Sequence, residues 1–432
     1  MDTNKKNYGI MTKALHCGWS GDPETGAFGL PIYATSAYKF RDTAHASDLF
    51  SLNESGHIYS RLSNPTVAAF EEGLNALEGG VGCLATASGH AAFVHLIAAL
   101  CSSGDHLVVS DKLYGGTTTL LKDIFARFGV TTTFVDIDHP CQVDQAIREE
   151  TRGVIVEIIG NPTMNVAPLE TLARLCARKQ VPLIVDNTFA TPVLCRPFEF
   201  GAHVVVHSTT KYISGNGNLI GGAVIDGGTF DWAACPEKYP GLAKPDASYH
   251  GLVFTEKFGK AALYAKLHTS ILRDLGGCPS AFDAYLLHLS LATLPLRMQR
   301  HSENAATVAA FLEQHPAVDE VNYPGLESHP QHDMAKIYLK EGCGGMMAFS
   351  LKGGLEAGRS LIEKLQLISH MANVGDSRTL IVHPASTTHS QLTQEERRAA
   401  GIGEGLIRLS VGIENVEDII SDLHQALEAA NK

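Results

Sequence analysis

The chain has 432 residues, 44% of them hydrophobic and 19% charged, and carries a formal net charge of -12. That length exceeds one compact core, so more than one domain is expected, and the acidic balance disfavours nucleic acid or an anionic membrane as a partner. Nine scattered cysteines with no CxxC pair, an opening MDTNKKNYGI without an apolar signal core, and no run apolar enough to span a bilayer fit reduced thiols in a cytoplasmic enzyme.

Residues 1–64 are rich in Gly, Pro and Tyr and poor in periodicity, and read as an arm that wraps something. From Pro65 the chain alternates short apolar runs with amphipathic segments. GVGCLATASG, DHLVVSD, TTTFVDID, GVIVEII, VPLIVDN, AHVVVHS and IGGAVID each read as a buried strand, and LETLARLCARKQ (Leu169 to Gln180) as a helix. This alternation predicts an α/β domain over 65–275, a mostly parallel sheet covered by helices on both faces. Over 276–432 the pattern changes to a long helical stretch from Ser280 to His315, two apolar runs (GGMMAFSLKG and GLIRLSVGIE) and a final amphipathic helix, NVEDIISDLHQALEAANK. That is a smaller α+β domain.

The stretch HSTTKYISGNGNLIGG, His207 to Gly222, fits neither usual nucleotide loop. A P-loop has its lysine after the glycines, and Lys211 comes before them; a dinucleotide fingerprint needs a third glycine where Ile220 stands. Ligands of open parallel sheets bind outside the carboxyl ends of the strands. That rule selects Asp186 after VPLIV, His207 to Lys211 after AHVVV, and Ser88, Gly89 and His90 after CLATA. Lys211 and Asp186 could form a simple salt bridge. They could equally serve pyridoxal phosphate, whose aldehyde needs a lysine and whose pyridine nitrogen needs an acid partner. Ser88-Gly89-His90 at a helix start could bind its phosphate or be an ordinary N-cap. Ser208 and Thr210 could add hydroxyl donors or cap the strand end. Tyr114 could stack on a cofactor ring or sit in the core, and Arg408 could grip a carboxylate or face solvent on its strand. His383 and His389 of HPASTTH, and His329 and His332 of HPQHD, lack metal-site spacing, and no metal is expected.

Taken in order, IYSRLSNPT, ALEGG, SGHAA, LYGGT, EIIGNPT, IVDNTFATP, HSTTKYISG, HPASTTH and IRLSVGIE resemble the pyridoxal-phosphate enzymes of cysteine and methionine metabolism over nearly the whole chain. The resemblance implies the aspartate-aminotransferase-like fold (fold type I) and a homotetramer of two active dimers. It implies that Lys211 forms the Schiff base, Asp186 partners the pyridine, and Asn161 contacts the ring hydroxyl. It further implies that Tyr114 stacks on the ring, while Gly89 and His90 offer backbone donors and Ser208 and Thr210 hydroxyls. Tyr59 and Arg61 would reach the phosphate of a neighbouring subunit, and Arg408 would hold the substrate carboxylate, with Asn373 and Tyr59 beside the substrate.

Within that family the arm start DPETGA, the insert from Thr229 to Phe254 and the segment from Ala372 to His389 are similar to the O-acetylhomoserine sulfhydrylases. Tyr114-Gly115-Gly116 differs from the Tyr-Gly-Cys usual in methionine γ-lyases. His90, Phe28, Asn216 and Asn218 depart from the usual sulfhydrylase residues. The implied reaction is γ-replacement on an O-acyl-L-homoserine, with acetate leaving and sulfide or a small thiol entering. The alternatives are a methionine or cystathionine γ-lyase and a sulfhydrylase that uses O-succinylhomoserine.

Overall fold

The computed structural model describes residues 8–387 and 403–430. Seven apolar runs form one sheet: β1 (Gly82–Thr86), β2 (His106–Ser110), β3 (Thr131–Val135), β4 (Thr151–Glu157), β5 (Leu183–Asp186), β6 (Val204–His207) and β7 (Gly222–Asp226). Their order is β1-β7-β6-β5-β4-β2-β3. The pairs from β6 to β3 are parallel, and only β7 runs against its two neighbours.

Why the runs are apolar on both faces is visible in their alternation. Side chains on a strand point to opposite faces in turn. Val154 and Val156 enter one core with Leu183, Val185 and Val205. Ile155, Ile184, Val204 and Val206 enter the other. The first core is closed by the helices Pro65–Glu78, Leu169–Lys179 and Ala281–Leu291, the second by Gly89–Leu100 and the segment from Ala262 to Leu272. The insert from Thr229 to Phe254 packs into the second core through Trp232, Tyr239, Leu242 and Phe254.

A second sheet, in the order β10-β11-β12-β9-β8, comprises β8 (Val318–Asn322), β9 (Met346–Leu351), β10 (Ser369–His370), β11 (Leu380–Val382) and β12 (Leu406–Ser410). It shares a third core with the helices Leu294–Glu313, Gly354–Lys364 and Val416–Ala430. The expected long helix from Ser280 to His315 is two helices, Ala281–Leu291 and Leu294–Glu313. Pro295 has no N–H to donate, so it fits the first turn of a new helix and not the middle of an old one. The second helix joins the units: Leu294 and Met298 lie in the first core, Val308 and Leu312 in the third. No helix among the described residues is long and apolar enough to cross a membrane.

The segment before Pro65 contains two short helices, Ile10–His16 and Thr43–Phe50, and is tied to the helix Pro65–Glu78 by polar bonds. The Thr66 hydroxyl donates to the Pro31 carbonyl at 2.8 Å and accepts from Tyr33 N–H at 3.0 Å. Much of its apolar surface stays exposed, including Phe28 at 78% and Phe50 at 62%.

Candidate active site

A cavity of about 270 Å³ opens at the carboxyl ends of β1, β5 and β6, with Ala372 to Val374 and Arg408 contributed by the smaller unit. Eleven of the thirteen sequence-selected residues line it; Tyr59 and Arg61 do not.

After β1 the chain turns into the helix Gly89–Leu100. Ser88 caps it, its hydroxyl accepting from Ala91 N–H at 3.0 Å. The first amides of a helix have no intrahelical acceptor, so this start is a ready anion site. A Cβ on Gly89 would lie 2.8 Å from Ser208 Cβ. Only glycine lets the helix start approach the segment that follows β6. Thr210 also lines the cavity while closing a local turn: its hydroxyl donates to the Gly221 carbonyl at 3.2 Å and accepts from Gly221 N–H at 3.0 Å. The capping readings of Ser88 and Thr210 therefore hold locally, alongside placement in the cavity.

The last residue of β5 is Asp186. Its Oδ1 accepts from Thr188 N–H at 2.9 Å and from the Thr188 hydroxyl at 2.5 Å. The same hydroxyl accepts from Ser208 N–H at 2.8 Å, tying the ends of β5 and β6 together. Burial raises the Asp186 carboxyl above its usual range, against the opposing Thr188 bonds. Its register partner on β4 is Glu157, which lines the cavity too and was not selected from the sequence. Glu157 accepts from Tyr114 N–H at 2.7 Å and Asn161 N–H at 3.1 Å, and so fixes the backbone of two site residues. Burial first, then the charge of Asp186, pushes Glu157 well above its ordinary pKa. The strand-end rule that picks out Asp186 applies equally to Glu157. Thr188, two residues past Asp186, was missed as well.

Lys211 Nζ donates to Asn373 Oδ1 at 2.6 Å. Burial, and after it the charge of Arg408, lowers the amine to about 8. Arg408 lies on β12 and donates through Nη1 to Asn161 Oδ1 at 3.2 Å, which orients the guanidinium. It faces the cavity and not solvent. Tyr114 is half-exposed, with its ring nearly perpendicular to the His90 imidazole, centroids 5.9 Å apart. A Cβ on Gly116 would come within 2.6 Å of the Tyr114 ring and 2.9 Å of His90.

Tyr59 and Arg61 sit elsewhere: Arg61 donates to the Arg273 carbonyl, and its guanidinium lies over the Tyr59 ring at 5.4 Å. His329 accepts from Gln331 N–H at 3.2 Å and His332 donates to the Pro324 carbonyl at 3.0 Å, as packing residues do. His383 contacts Ser386 and the Glu404 carbonyl, while His389 lies outside the described residues.

A half-buried, low-pKa amine and an acid at adjacent strand ends, with a glycine-lined helix start beside them, define a pyridoxal-phosphate-dependent enzyme of fold type I. Residues 11–428 match the sequence model of the Cys/Met metabolism PLP-dependent enzymes, and the chain belongs to that family. It is 47% identical to the homocysteine synthase of Schizosaccharomyces pombe, over 97% of this chain and 98% of that protein. It is 46% identical to O-acetyl-L-homoserine sulfhydrylase 1 of Thermus thermophilus, over 96% and 99%. A crystal structure of an O-acetylhomoserine (thiol)-lyase assignment from Campylobacter jejuni, with N'-pyridoxyl-lysine-5'-monophosphate, superimposes with a TM-score of 0.94 at 40% identity, over 98% of this chain and all of that one.

Proposed function

We propose that this enzyme catalyses γ-replacement on O-acetyl-L-homoserine, with sulfide or a small thiol as nucleophile. One C–O bond at Cγ breaks and one C–S bond forms; the proton given up by the thiol balances the acetate released, and no electrons are gained or lost overall. The products are homocysteine, or methionine from methanethiol, plus acetate. The observation that carries the reading is the convergence of Lys211, Asp186 and Arg408 on one cavity in a chain of this family.

The residues fit the cofactor. The Gly89 cradle, which a Cβ would fill, and the Ser208 and Thr210 hydroxyls suit a phosphate; Asp186 suits a protonated ring nitrogen, and Asn161 a ring hydroxyl. When bound, pyridoxal phosphate supplies an aldehyde for the amine and a sink for electrons leaving the substrate's Cα and Cβ. Lys211 holds the cofactor and, once freed from it, moves the Cα proton; an amine near 8 is suited to give and take protons close to neutrality. Asn373 aims that amine. Arg408 clamps the substrate carboxylate, with Tyr59 of a second copy of the chain near it, and Tyr114 assists acetate departure.

Tyr59 and Arg61 lie outside the cavity of their own chain, which supports a role in the site of a second copy and a homotetramer built from two such dimers. Nine cysteines, none of them in a disulfide, support a cytoplasmic setting. The division into arm (1–64), cofactor domain (65–275) and smaller domain (276–432) belongs to the same proposal, with the helix Leu294–Glu313 as their shared strut. The test is Lys211→Ala, which should remove both the visible absorbance of the lysine-linked cofactor and all turnover. A variant that keeps its turnover would overturn the assignment of the lysine.

A further inference from the structure

On the far side of the smaller domain, three side chains that the mechanism does not use come together. His315 follows the helix Leu294–Glu313, and His424 and Glu428 stand one turn apart on the helix Val416–Ala430. One ligand atom from each lies within 4.8 Å of the others. His315 is 6% exposed, and its Nε2 is buried without a hydrogen-bond partner, 3.9 Å from Glu428 Oε1. Phe311 packs against both imidazoles, with ring centroids 5.6 Å from His315 and 6.1 Å from His424.

We propose that His315, His424 and Glu428 form a divalent transition-metal site, of the class that takes Zn²⁺. Two imidazoles and one carboxylate are a regular zinc donor set, leaving a fourth position for water. Tetrahedral ligands about 2.1 Å from zinc stand roughly 3.4 Å apart, so atoms that lie within 4.8 Å of one another have to close by up to about 1.4 Å. His424 and Glu428 are exposed and can rotate to do so. Coordination through Nε2 puts the ring proton on Nδ1 and gives up the 3.3 Å hydrogen bond that Nδ1 accepts from Ala317 N–H. Three protein ligands and that lost hydrogen bond make the binding weaker than that of a four-ligand structural zinc. An ion held there pins the C-terminal helix to the end of Leu294–Glu313 and stabilises the smaller domain.

The experiment uses untagged, chelator-treated holoenzyme, titrated with ZnCl₂ against a chromophoric chelator and followed in parallel by thermal melting. Wild type should take up one equivalent per chain and melt at a higher temperature. His424→Ala and Glu428→Gln, both at exposed positions, should bind roughly tenfold or more weakly, with cofactor absorbance and turnover unchanged. No uptake by wild type, or equal uptake by both variants, overturns the site.

Discussion

Arg408→Ala should lower kcat/KM for the homoserine ester by about 10²-fold. A guanidinium fork on a carboxylate is two charge-assisted hydrogen bonds of about 1.5–3 kcal/mol each, so even the lower figure gives about 3 kcal/mol. At about 1.4 kcal/mol per factor of ten, that is about two decades. Little of it is recovered elsewhere, because Asn161 Oδ1 already holds the guanidinium at 3.2 Å and would be left facing an empty cavity. Arg408→Lys should restore only part, since an ammonium lacks the fork. A second effect separates this role from simple loss of folding. The charge of Arg408 helps lower Lys211 to about 8, after burial. Only a neutral amine attacks the aldehyde, so the rate at which the chain stripped of cofactor takes up pyridoxal phosphate should rise with pH through about 8. Removing the charge raises the pKa of the amine, and the midpoint should move to higher pH. Steady-state kinetics and stopped-flow absorbance measure the two effects. An unchanged kcat/KM, or a midpoint that moves down, would refute the reasoning.

Gly89→Ala should weaken cofactor binding more than folding, because its Cβ would meet Ser208 Cβ at 2.8 Å in the proposed phosphate cradle; equilibrium titration with pyridoxal phosphate reads this, and undiminished affinity would count against the cradle. Arg61→Ala and Lys211→Ala chains, each inactive alone, should recover part of the activity when mixed and reassembled, and inactive hybrids of confirmed composition would rule out shared sites. Burial lowers His203 and His301 from 6.5 to about 4. Above 6.5 both folded and unfolded chains keep them neutral; below it the unfolded chain takes protons that the folded chain refuses, so stability falls as pH drops from 6.5 towards about 4. Melting temperature against pH should show that slope, flatter in His203→Asn, and equal slopes would contradict the assignment.

The residues legible in the sequence are those whose neighbours announce a strand end. Asp186 directly follows the apolar run VPLIV, Ser88 follows CLATA and Lys211 comes a few residues past AHVVV, and the edge rule for parallel sheets then places them together without any knowledge of contacts. Arg408 is different. On its strand it reads as an outward-facing charge, and only the docking of the smaller unit onto the sheet edge turns it into the cavity. Glu157 ends a run just as Asp186 does, but its work is to hold the Tyr114 and Asn161 amides, which no spacing reveals. Asn373 lies between β10 and β11, strands of two and three residues that are too short for any periodicity to register. β8, with Asp319 and Glu320 exposed between Val318 and Val321, hides its strand character in the same way. His315 and His424 meet only through the packing of two helices far apart in the chain. For Tyr59 and Arg61, motif resemblance supplied a role that a single chain's geometry does not display.

The central claim is that the enzyme replaces a group at Cγ and does not merely eliminate it. Replacement requires that sulfide add at Cγ after the leaving group departs and before the unsaturated product is released and hydrolysed, so the partition of products is the direct readout. With O-acetyl-L-homoserine and sulfide both saturating, homocysteine should be the main product, and methionine alone should give little 2-oxobutanoate and ammonia. If 2-oxobutanoate from methionine forms faster than homocysteine from the ester, the γ-replacement account is wrong.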